Sequence, residues 1–188
     1  MPKTQMSRFH IHDDLTAPEG SLPILKGASS AAGQLPNFLG ALAGSPAALR
    51  AFVRASGELR HGRLRRGTVE RIGLAVAERY GSKPGLHLHS RTSRSAGLGI
   101  DEVAKARHWE SADPREDALL KFLQPLLADP AKAPQHLHEE AKEAGWDDEE
   151  LLEAIAVLSL ESFTAMVNLA GEIPVDGSAE ETRILRAA

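Results

Sequence analysis

The sequence predicts an all-α protein, and three observations carry that expectation. Hydrophobic residues make up 42% of the chain but aromatics only 4%, and Ala and Leu dominate over the β-branched residues that favour strands. Apolar residues recur at three- and four-residue spacing over long stretches. Between those stretches stand clusters of Pro, Gly, Ser and Asp, which start and stop helices. With 188 residues and 20.2 kDa the chain is long enough for one full hydrophobic core.

Taken in order, the first thirty-odd residues are punctuated by APEGS, GASSAAG and LPNFLG. We expect residues 1–44 to form an arm with short helices packing on a single helical unit, residues 45–188. That unit opens with SPAALRAFVRASGELRHG, where Ser45 is placed as an N-cap, Pro46 at the first helical position, and Leu49, Phe52, Val53 and Leu59 near one face. RRGTVERIGLAVAERYG follows, with Val69, Ile72, Val76 and Tyr80 in helical register and Gly81 as its C-cap. PGLHLHSRTSRSAG is a third helix, starting at Pro84 and closing at Gly97, so the last two form an αα-hairpin. IDEVAKARH, DPREDALLKFLQPLLAD and APQHLHEEAKEAG are three further amphipathic helices. A long helix from about Asp147 to Asn168 is apolar over most of its circumference, which predicts burial in the core or at a subunit interface.

Charge and composition exclude several functions. A net charge of -4 and no basic block interleaved with aromatics argue against nucleic acid as a partner. No membrane span or signal peptide is visible: MPKTQMSRFHIHDD lacks an apolar core, and Glu153, Glu161 and Asn168 interrupt LLEAIAVLSLESFTAMVNLA. We therefore expect a cytoplasmic protein. Cysteine is absent from the whole chain, which removes disulfides, thiolate nucleophiles and cysteine metal sites.

Two residues stand out against this background. Projecting RRGTVERIGLAVAERYG at ~100° per residue places Glu70 on the same arc as Val69, Ile72, Gly73 and Val76, with Arg71, Glu78 and Arg79 on the solvated side. A carboxylate aimed at a core needs a partner. Either Glu70 merely occupies a first helical turn and pairs with Arg66, or it meets a group on another helix. On the neighbouring helix His89 shares the less polar face with Gly85, Leu86, Ser93 and Ala96. It is either a satisfied structural histidine or, paired with Glu70, half of an acid/base site.

The run ELRHGRLRRGTVERIGLAVAERYGSKPGLHLHSRTSRSAGLGIDEV resembles the core of the alkylhydroperoxidase D-like and carboxymuconolactone decarboxylase superfamily. The flanks APEGSLPILKGASSAAGQLPNFLGALAGSPAALRAF, SADPREDALLKF and GWDDEELLEAIAVLSLESFTAMVNLAG are similar to its peroxidase-related branch, so the likeness covers nearly the whole chain. The family motif is a Glu, a Cys-x-x-Cys beginning twelve residues later, and a His four residues after the second Cys. Glu70 and His89 match the acid and the histidine; Ser82 stands at the resolving cysteine and Gly85 at the peroxide-attacking one. The resemblance implies a helical bundle with an αα-hairpin core and an antioxidant oxidoreductase ancestry. It also implies a homo-oligomer, whether dimer, trimer or hexamer, with the apolar C-terminal helix as a candidate interface, and a proton relay from Glu70 through His89. Without either sulfur, thiol-dependent hydroperoxide reduction is expected to be lost.

Two alternatives remain open. The decarboxylase branch also lacks paired cysteines and has a leucine-x-leucine-histidine run similar to Leu86–His89, which implies a non-redox lyase or isomerase using His89 and Glu70, with a small-molecule ligand near Gly85. Alternatively, the protein binds or scaffolds and the pair is structural. Neither a cofactor nor a metal is expected. His87 and His89, like His136 and His138, sit two apart on helices and diverge by about 160°, which defeats a two-residue clamp. Ser82 as a nucleophile would need His89 in reach and an oxyanion hole; capping the helix at Pro84 is the simpler role.

Overall fold

The structure, a computed structural model, describes residues 7–32 and 35–177. Among these residues there is no strand, and nine α-helices follow one another: α1 Leu22–Ala32, α2 Asn37–Leu42, α3 Pro46–Arg60, α4 Arg66–Tyr80, α5 Lys83–Ser95, α6 Ile100–Ala106, α7 Pro114–Ala128, α8 Gln135–Glu143 and α9 Asp148–Ala170. The all-α expectation is met. None of the described helices is long and apolar enough to cross a membrane.

The chain divides into two compact units. One comprises the residues up to Ser56 with those from Met166 onward, the other Gly57–Ala165. In the first unit Leu25, Leu42, Ala43 and Leu49 are buried together, and the rings of Phe38 and Phe52 meet edge-on at 4.9 Å. Ser21 Oγ donates to Ala43 O at 2.7 Å, and Ser45 caps α3 by accepting from Ala48 N–H at 3.3 Å.

The second unit holds the larger core. Ile72, Ala75 and Val76 of α4 pack with Leu119, Leu120 and Leu123 of α7 and with Leu151, Ala154 and Leu158 of α9, while Trp109 and Trp146 close its edges. Helix α4 ends because Gly81 takes a left-handed backbone with φ 68°. Its N–H reaches Glu78 O at 3.0 Å and the next N–H, of Ser82, reaches Ala77 O at 2.8 Å, the paired bonds of a Schellman cap. Ser82 then starts α5 by accepting from Gly85 N–H at 3.3 Å, with Pro84 in the first turn. A two-residue junction therefore reverses the chain and lays α5 beside α4.

One sequence expectation changes and another gains detail. Arg71, expected in solvent, turns inward: its side chain is 14% exposed, and Nε donates to Glu102 Oε1 of α6 at 2.7 Å. Helix α9, expected in the core or at a subunit interface, divides its apolar residues between the two environments: it buries Leu151, Ala154, Val157, Leu158 and Ala165 and leaves Leu152, Phe163, Met166 and Leu169 exposed on the single chain.

Candidate functional site

The αα-hairpin brings the two sequence-predicted residues into contact. His89 Nδ1 lies 2.9 Å from Glu70 Oε2, both side chains being about nine-tenths buried. The expected alternative partner of Glu70, Arg66, stands 3.9 Å from Oε1 with its own side chain 61% exposed, so it assists at most through a screened charge. Thr92, one turn beyond His89 on α5, donates its hydroxyl to Glu70 Oε2 at 2.5 Å.

A second acid completes the cluster. Glu161 of α9 places Oε2 3.1 Å from His89 Nε2. Both ring nitrogens therefore face carboxylate oxygens, an arrangement that suits the doubly protonated imidazolium donating on both sides. Burial opposes the charged ring, but the charge and hydrogen bond of Glu161, followed by those of Glu70, outweigh it and push the His89 pKa up to about 10. At neutral pH His89 is a proton holder, not a free base.

The ring fits because of a glycine. Any Cβ at Gly73, one turn after Glu70 on α4, would overlap the imidazole. Glycine within a helix costs about 1 kcal/mol against alanine, and here it lets the ring lie on the helix backbone.

The two positions corresponding to the family cysteines sit at the start of α5. Ser82 is fully buried, and its side chain caps the helix. Gly85 is also buried; a Cβ there would stand 3.0 Å from Ala77 Cβ and 3.1 Å from Ser82 Oγ. There is less room in front of Gly85 than a missing side chain suggests. Among the described residues no group of three or more His, Asp or Glu is placed to hold a metal ion, and His87, His136 and His138 are exposed on their helices.

Sequence reasoning singled out Glu70 and His89 but missed Glu161, Thr92 and Gly73. Glu161 had a signal. It falls between Leu158 and Ala165 on the buried stripe of α9, continuing the spacing from Ala154, so a carboxylate there must find a partner inside. Gly73, inside a helix on its apolar face, pointed to a close approach.

No family model and no curated protein matches the sequence. Solved structures match the fold. An uncharacterised peroxidase-related protein with an alkylhydroperoxidase core, from Ralstonia eutropha JMP134, superimposes with a TM-score of 0.80 over 92% of this chain and 94% of its own, at 18% identity. A second uncharacterised peroxidase-related protein, from Silicibacter sp. TM1040, gives a TM-score of 0.75 over 86% and 87% at 18% identity. A debrominase solved in complex with 2,3,4-tribromopyrrole gives 0.67 over 88% and 89%, also at 18% identity. The chain thus has the alkylhydroperoxidase D-like helical fold, without a cysteine.

Two outcomes follow from this geometry. Gly73→Ala gains about 1 kcal/mol of helix propensity but incurs overpacking of about 1–3 kcal/mol and disturbs the Glu70–His89 bond, so a net loss of stability is expected in urea titration. Because the folded-state pKa of His89 lies above its ordinary value of 6.5, the stability it contributes is fully present below pH 6.5 and is lost as pH rises through about 10. Urea midpoints measured across that range should fall more steeply for the wild type than for His89→Gln.

Proposed function

We propose that this chain is a thiol-free relative of the alkylhydroperoxidase D-like peroxidases, in which the acid–histidine relay persists as a buried charged cluster while hydroperoxide reduction by the chain's own side chains is lost. One observation carries the reading. Glu70 and His89 are joined at 2.9 Å, while the two motif positions are a helix-capping serine and a glycine. Thiol peroxidases transfer the terminal oxygen of a hydroperoxide to a thiolate, forming an alcohol and a sulfenic acid that a second thiol converts to a disulfide. An alcohol can take neither part.

A second reading is favoured by the difference in exposure within the cluster. The Glu161 side chain is 20% exposed against 8% for His89, so Glu161 is the member that meets a molecule arriving from outside. In a non-redox lyase or isomerase acting on a small carboxylated or carbonyl compound, Glu161 would exchange the proton, with His89 and Glu70 holding its charge and orientation.

Self-association belongs to the same proposal. Helix α9 presents Leu152, Phe163, Met166 and Leu169 at the surface, an apolar set that suits a subunit interface. Light scattering is expected to give a mass that is a multiple of 20.2 kDa; a stable monomer would count against it.

The decisive assay measures loss of cumene hydroperoxide with dithiothreitol as reductant. Consumption at the rate of the buffer blank is expected, and a saturable, protein-dependent rate well above the blank would overturn the first reading.

A further inference from the structure

Helix α9 carries a second pattern besides the buried stripe that holds Glu161. Beyond Glu150 its exposed residues are Leu152, Ala156, Ser159, Phe163, Met166 and Ala170, with Leu169 next to them. The first six are spaced by four and three residues in alternation, so at ~100° per residue they fall in a band about 80° wide along roughly 27 Å of helix. None is charged, and the one polar side chain, Ser159, donates its hydroxyl to Ile155 O at 2.8 Å, inside its own helix. The flanking residues Ile155, Leu160 and Val167 are half-buried and apolar too. Other surface helices are built differently: α3 exposes Arg50, Arg54 and Glu58, and α8 exposes Glu139, Glu140 and Lys142. A narrow uncharged seam with this alternation is the form a helix takes when it packs lengthwise against another helix.

The order of side-chain sizes says which helix. Counting outward from Glu161, Ser159 mirrors Phe163, Ala156 mirrors Met166 and Leu152 mirrors Ala170; each pair joins a small residue to a large one. Two copies of α9 laid antiparallel, with their two-fold axis level with Glu161, therefore meet large on small in every layer, the interdigitation that fills a helix pair evenly. A parallel pair would set Phe163 on Phe163 and Met166 on Met166 while leaving Ala156 opposite Ala156, overpacked in some layers and gapped in others. It would also bring together the acidic first turns of both copies, Asp148, Glu149 and Glu150, as like charges. Antiparallel helices keep those turns at opposite ends.

We propose that this seam is the contact between two copies of the chain, paired antiparallel along α9 about a two-fold axis level with Glu161. The proposal rests on the self-association set out above and names its surface and geometry. Glu161 itself projects about half a turn from the seam, into its own chain's contact with His89.

The absence of cysteine makes the pairing measurable. In an Ala156→Cys/Met166→Cys chain the two thiols stand about 15 Å apart along one helix, beyond the ~4.4–6.8 Å between Cα atoms that a disulfide spans, so any bridge joins two chains. After mild oxidation and proteolysis after glutamate, which separates the two positions at Glu161, mass spectrometry is expected to find bridges from position 156 to position 166 in excess of those joining like positions. Sedimentation gives a second readout. Ser159→Phe sets large against large and is expected to weaken the dimer at least about tenfold, and adding Phe163→Ser restores the match and brings the dissociation constant back to within about threefold of the wild type. A monomeric wild type would overturn this proposal together with self-association. An oligomer bridged mainly between like positions, one with no bridge from 156 to 166, or one in which Phe163→Ser fails to rescue Ser159→Phe would overturn the antiparallel seam alone.

Discussion

A buried imidazolium held between two carboxylates is the interaction on which the unit Gly57–Ala165 turns. Three helices, α4, α5 and α9, each contribute one charged group to it, and the charges cannot be taken separately. Removing one member of a buried ionic cluster costs about 3–5 kcal/mol because the remaining charge is left unpaired, although the intact cluster is no more stabilising than well-packed hydrophobic side chains. The cluster therefore acts less as a source of stability than as a constraint. It specifies how far α5 and α9 stand from α4, and the bare backbone at Gly73 sets that distance on the α4 side.

Helix α4 is tied on more than one side. Glu70 and Gly73 serve the histidine, while Thr68 and Arg71 reach Glu116 and Glu102 on α7 and α6. The apolar residues between them, Ile72, Ala75 and Val76, fill the core. A single fifteen-residue helix thus carries hydrophobic packing, the charged cluster and the partners of two acids on neighbouring helices. This accounts for the inward turn of Arg71: the buried Glu116 and the half-buried Glu102 on neighbouring helices need a cation, and it is within reach of both.

Much of this was legible in the sequence. Helix periodicity, the Gly81 stop and the Ser45 and Ser82 caps each act over a few residues, so local pattern was enough to place the hairpin and to put Glu70 and His89 on facing sides. What escaped was set by distant partners. Glu161 stands seventy-two residues from His89, and projection of its own helix shows only that it faces inward, not what it meets. Arg71 was misread for the same reason, since helical projection describes one helix and its charge partners lie on two others. The protonation of His89 also depends on the second carboxylate, so no reading confined to the Glu70–His89 pair could have assigned it.

The junction at Ser82 has one more implication. Where a Cys-x-x-Cys starts a helix, the local geometry is tied to the oxidation state of the sulfurs, and a disulfide and a dithiol place that first turn differently. Here a hydroxyl caps the helix and a proline and a glycine follow it, none of which is changed by thiol oxidants, alkylating agents or reductants. The hairpin consequently carries no thiol–disulfide switch of its own, and its first turn is held by the same hydroxyl cap under oxidising and reducing conditions alike.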